Sequence, residues 1–209
     1  MNIRLLPWKD SLGNASRLPV ARRDSAAPIS ARELAILVVC GVASALAVTT
    51  LEFKLKLPGH SILRAVFPMA FGLALVPRVG AGTVMGIGAA TASILMTMAG
   101  WGERGLGAVT SLYLIGPCLD LAVCRAKSGR WIYLSLVSAG LMANLAAMAV
   151  QVTAKSMGWK VQGMGKSLAE WLPWAAITYP LCGILAGLLS AVVWFRWNSG
   201  RQHPTDARS

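Results

Sequence analysis

The chain has 209 residues, of which 56% are hydrophobic and only 13% charged, with a formal net charge of +12. A soluble domain of this length carries about 25% charged residues, so these charges cannot clothe a globular surface, and lipid must cover much of it. The basic excess does not make a nucleic-acid face either, since Lys and Arg sit at the termini and between apolar runs instead of clustering. That pattern suits topology signals and anionic membrane lipid.

Residues 1–30 contain Arg4, Lys9, Arg17, Arg22 and Arg23 together with Pro7, Pro19 and Pro28, and no long apolar run. They read as a flexible, basic, cytoplasmic tail. Arg22-Arg23 with Ala43-Ser44-Ala45 downstream resembles a signal peptide, but the apolar stretch runs past that site to Leu51, which the cleavage pattern does not do. Ser30 is placed to cap the helix that follows.

Six apolar segments come next, at about 34–51, 61–76, 81–99, 106–124, 131–153 and 171–195. A spanning helix needs ~20 residues, so the second is short. The runs are apolar all round, unlike alternating barrel strands. The expected fold is therefore all-α, a polytopic membrane protein with a bundle of six transmembrane helices over 31–197 and a cytoplasmic tail over 198–209. With the N-terminus inside, 13 Lys and Arg fall on the inner side and 7 on the outer. The positive-inside rule then puts both termini in the cytoplasm of a multi-pass protein of the cell (inner) membrane.

Several motifs carry no chemistry. Gly100-Trp101-Gly102-Glu103-Arg104-Gly105 fits G-x-G-x-x-G in letters, but an apolar helix precedes it where a dinucleotide fold needs a strand. Gly165-Lys166-Ser167 ends like a phosphate loop, yet Lys160 stands where the earlier glycine belongs. Neither a cofactor nor an ATP site is visible. Cys40, Cys118, Cys124 and Cys182 form no C-x-x-C pair, and no His, Asp and Cys cluster calls for a metal. No nucleophile-base arrangement or paired intramembrane carboxylate points to an enzyme.

What remains lies in two places. Small residues recur four apart at Gly41 and Ala45, Ala43 and Ala47, Gly82 and Gly86, and Gly183 and Gly187. Such spacing lets a second backbone approach, either within the bundle or, on the first helix, from a partner subunit. Asp120 is an acid within the fourth helix, readable as functional or as a helix-end partner of Arg125 or Arg78. Asn144 and Gln151, seven apart on the fifth helix, share one inward face. Glu52, His60, Trp101, Arg104, Gln151, Trp159, Lys160, Trp171 and Trp174 gather on the outer side. Each Trp alone fits an interface anchor; together, aromatic and polar groups at a bundle mouth suit a small-molecule pocket.

Length, six helices, inward termini, the missing nucleotide site and the small residues of helix one resemble the substrate-binding S components of energy-coupling-factor (ECF) transporters. Leu57-Pro58-Gly59-His60-Ser61 and Val76-Pro77-Arg78-Val79-Gly80-Ala81-Gly82-Thr83 also resemble small membrane proteins grouped near that family. The resemblance implies a vitamin-like solute taken from outside, with a transmembrane coupling protein and ATPase subunits powering its release within. It implies a docking face for the coupling protein at Ala43 and Ala47, flanked by Gly41 and Ala45. It disfavours metal uptake, because Met1-Asn2-Ile3 lacks the N-terminal histidine of the metal-transporting members. The alternative is a non-transporting membrane scaffold or assembly subunit.

Overall fold

In the computed structural model the described residues are 29–50, 58–76, 78–101, 106–125, 130–159 and 167–201. They form six α-helices and no strand: α1 Ala31–Thr50, α2 Ser61–Leu75, α3 Ala81–Met98, α4 Leu106–Arg125, α5 Arg130–Ser156 and α6 Leu168–Arg201. All but α2 are long and apolar enough to cross a membrane. At 1.5 Å per residue α2 covers only about 22 Å, short of the ~30 Å hydrocarbon core.

The first helix starts where its cap allows. Ser30 Oγ accepts from the Glu33 N–H at 3.2 Å, and Glu33 Oε2 accepts from the Ser30 N–H at 3.0 Å. This reciprocal capping box satisfies two donors at once. Glu33 also binds Arg78 at 3.0 Å, tying the α2–α3 turn to the start of α1.

Packing order departs from chain order. Helix α1 packs on α3, α3 on α4, α4 on α5, α5 on α6, α6 on α2, and α2 back on α1, which closes a ring. Helix α2 also touches α3 and α4, so it leans toward the middle. Its burial agrees, since Ile62, Ala65, Val66, Met69, Ala70, Gly72, Leu73 and Ala74 are all covered. A short helix is thus sheltered by longer neighbours. Outward faces stay apolar, as at Val39, Leu95 and Ile177, which are each 60% exposed or more. A soluble protein would not leave so many large apolar side chains uncovered, whereas lipid accommodates them.

Small residues set the seams, because without solvent to drive helices together close backbone packing does so. A Cβ on Gly41 would stand 2.6 Å from the Met85 carbonyl oxygen, and one on Gly86 would stand 2.8 Å from that of Tyr113. Gly82 meets Gly116 across α3–α4, and Gly183 and Gly187 meet α5 at Gly140 and Leu136.

Asp120 has a different partner from the arginines expected of it. Its carboxylate accepts from the Gly82 N–H at 2.8 Å, the Thr83 N–H at 2.7 Å and the Thr83 hydroxyl at 2.7 Å. Helix α3 begins after Gly80, whose φ is +89° and which has no side chain to cap with. Asp120 caps it from α4 instead, meeting orphan N–H groups at the positive end of the helix.

Candidate solute-binding site

Positions 144, 147, 148, 151, 152 and 155 form one stripe of α5, and 168, 171, 175 and 179 form one of α6. Facing each other, they build an apolar cluster of Ala147, Trp171, Ala175 and Tyr179, with Met148, Val152 and Leu168 against it. This cluster lies apart from the main core and runs from mid-depth toward the end of the bundle where α5 finishes and α6 begins. The Pro58–His60 turn, which leads into α2, reaches the same place.

Polar groups thread the cluster. Asn144 Nδ2 donates to the Tyr179 carbonyl at 2.7 Å and to the Gly59 carbonyl at 3.3 Å. The Tyr179 hydroxyl donates to Gln151 Oε1 at 2.7 Å. Trp171 stands edge-on to Tyr179, with ring centroids 6.2 Å apart, and Lys155 Nζ lies 5.8 Å from the Trp171 ring. Both contacts have the geometry that aromatic faces favour. Gly59 has φ +81°, and a Cβ there would come within 3.0 Å of the Tyr179 ring and 3.1 Å of Asn144 Nδ2. Glycine is what lets its carbonyl reach the amide.

Two buried polar atoms in this cluster, Asn144 Oδ1 and Trp171 Nε1, have no hydrogen-bond partner among the described residues. Asn144 is fully buried and Trp171 is 4% exposed. Buried polar atoms are paired as a rule, so each such exception asks for an explanation.

The residues expected at the mouth divide. Gln151 and Trp171 meet in the cluster. His60 is one residue from Gly59, and Arg64 Nη2 stands 2.6 Å from its Nε2 while Arg64 Nη1 donates to the Val48 carbonyl at 3.1 Å. Trp101, Trp159 and Trp174 are each 60% exposed or more and are not members of the cluster. Glu52, Arg104 and Lys160 lie outside the described residues. Of the small residues on α1, Gly41 and Ala45 are buried within the chain, against α3 in the case of Gly41, while Ala43 and Ala47 are half-buried.

Neither Tyr179 nor Lys155 is among the residues expected at the mouth. The signal was there for Tyr179, which lies eleven residues inside α6, too deep for an interface anchor. A tyrosine at that depth needs a hydrogen-bond partner, and Gln151 supplies it.

Fold and composition define a multi-pass helical membrane protein. Compared with protein-family models, curated proteins and solved structures, the chain matches none.

Proposed function

We propose that the chain is the membrane-embedded substrate-specificity subunit of an ECF-type transporter in the cell (inner) membrane. It binds a small, vitamin-like solute from outside at the α5–α6 cluster, with both termini in the cytoplasm. A transmembrane coupling protein and separate ATPase subunits power release, and the half-buried Ala43 and Ala47 face of α1 is where the coupling protein docks. The observation that carries this reading is the pair of buried polar atoms on Asn144 and Trp171 that have no partner among the described residues. They lie toward the end of the bundle that the distribution of Lys and Arg assigns to the outside. The resemblance in length and helix number supports the ECF assignment. Transport follows from differential binding: the solute favours the outward-facing state, and contacts with the coupling protein favour a state that holds it less well.

The test is purification of the full chain from its native membrane in mild detergent, with mass spectrometry of both proteins and small molecules. The expected result is an ATPase pair, a coupling protein and a bound solute. A stable partner complex holding neither solute nor ATPase would replace this reading with the scaffold one. Ala43→Leu with Ala47→Leu should abolish coupling-protein recovery at unchanged membrane insertion.

A further inference from the structure

We infer that the inner ends of α4, α5 and α6 together form a binding surface for an anionic phospholipid. Each of these helices carries an arginine four positions from a large apolar residue that the bundle leaves uncovered. The pairs are Leu121 and Arg125 on α4, Arg130 and Leu134 on α5, and Val192 and Arg196 on α6. Residues four apart share a helix face. Leu121, Leu134 and Val192 are 52%, 57% and 55% exposed, so those faces look outward to lipid. The three ends also meet. Gly107 on α4 lies against Gln151 on α5, and Gly183 and Gly187 on α6 lie against Gly140 and Leu136 on α5. Helix α5 therefore runs antiparallel to both neighbours, and its first residue, Arg130, stands at the level where α4 and α6 finish. Packed helix axes are about 8–10 Å apart, so the arginines occupy neighbouring stations along one arc of the bundle's rim.

Within the three helices this charge is not cancelled. From Leu121 to Ala169 the sequence has no Asp or Glu, and Glu170 lies at the opposite end of α6 from Arg196. Asp120, on α4, turns its two oxygens to donors of α3. Across the bundle the balance differs, for there Arg78 is paired with Glu33 at 3.0 Å. A guanidinium grips phosphate oxygens through two parallel N–H bonds, and the uncovered apolar face one turn away takes acyl chains. A soluble anion would use the cations alone, whereas a phospholipid uses both halves of each pair. Trp131 follows Arg130 and is itself exposed, and indole rings favour headgroup depth. The distribution of Lys and Arg assigns this end to the cytoplasmic leaflet, the one that presents anionic lipid to basic segments.

The test titrates the full chain in mild detergent with phosphatidylglycerol or phosphatidylcholine of matched acyl chains, read by native mass spectrometry. Phosphatidylglycerol should bind roughly tenfold tighter or more. Arg125→Gln, Arg130→Gln and Arg196→Gln combined should weaken it on the order of a hundredfold, at about fivefold per arginine, and leave phosphatidylcholine unchanged. The control removes the same charge elsewhere, as Arg4→Gln, Arg17→Gln and Arg22→Gln, and should weaken phosphatidylglycerol less than about threefold. Equal losses in the two variants would mean diffuse charge attraction and overturn the site. Equal affinity for the two lipids on the unaltered chain would do the same. Glycerol 3-phosphate in large excess should leave the bound lipid in place, and displacement by it would reassign the surface to a soluble phosphate. A phosphatidylglycerol with a photoreactive acyl chain keeps the proposal open to test should the triple variant fail to insert. On the unaltered chain its crosslinks should concentrate at Leu121, Leu134 and Val192 and fade with unlabelled phosphatidylglycerol. Crosslinks spread equally over the exposed Val39, Ile87 and Leu95 of α1 and α3 would refute it.

Discussion

Asp120 shows how one side chain can decide where a helix begins. A carboxylate within an apolar span is expensive, and here three donors from the first turn of α3 offset that expense. Asp120→Ala should cost about 2–4 kcal/mol, the sum of lost charge-assisted bonds and orphaned N–H groups. Asp120→Asn should cost roughly half as much, because one oxygen remains to accept. Thermal unfolding of the detergent-purified protein measures both, and an Ala variant as stable as the parent would remove the cap from the account. Gly59 and Gly80 make a second comparison. Both have positive φ, but a Cβ at Gly80 would meet nothing within 4 Å, whereas one at Gly59 would meet Tyr179 and Asn144. Gly80→Ala should cost only the left-handed backbone strain of about 1–2 kcal/mol, and Gly59→Ala should exceed it and loosen the Asn144 bond as well. The sequence marked Asp120 as exceptional but pointed to the wrong partner. Charge pairs suggest themselves from a list of residues; a backbone N–H belonging to a helix 37 or 38 positions upstream does not.

Among elements, the glycine seams carry the association of helices. Gly116 on α4 meets Gly82 and Gly86 on α3, and a Cβ there would enter the space of the Gly82 carbonyl. Gly116→Leu should therefore separate α3 from α4 and abolish a monodisperse gel-filtration peak. Gly88 is on the same helix α3, yet its nearest neighbours are backbone atoms of Val38 at 4.0 Å. Gly88→Ala should be tolerated and even gain about 1 kcal/mol of helix propensity, which makes it the matched control in the same thermal assay. Spacing in the sequence was enough to reveal these stripes and the boundaries of most helices, since apolar length and small-residue period are local properties. It did not say which helix each stripe would meet. Gly41 faces α3, two elements away, because α2 is displaced toward the middle. Helix α6 reaches Arg201, past the apolar run expected to end near 195, and the added stretch holds no Pro and a single Gly, Gly200, which stays helical.

At the scale of the molecule, the orientation proposed from Lys and Arg can be tested with a thiol the chain already carries. Cys124 is exposed on the last turn of α4, while Cys40 and Cys182 are buried and Cys118 is partly so. A membrane-impermeant maleimide should label Cys124 in inside-out vesicles and spare it in intact cells; labelling of intact cells would reverse the topology. The site was only half legible for a related reason. Gln151 and Trp171 stood out as a polar and an aromatic residue at a helix end, but so did Trp101, Trp159 and Trp174, which the fold leaves outside the cluster. Separating a buried Trp from an anchoring one requires knowing which helix stands opposite, and that is tertiary information. The closed ring has a last consequence, and it concerns biogenesis. Helix α2 is made before α3, α4 and α5, yet one of its flanking partners is α6, which follows all of them. Until α6 arrives, a helix too short to span the bilayer has one flank open to lipid or to a chaperone. A chain that stops before α6 therefore presents membrane quality control with an unsealed bundle.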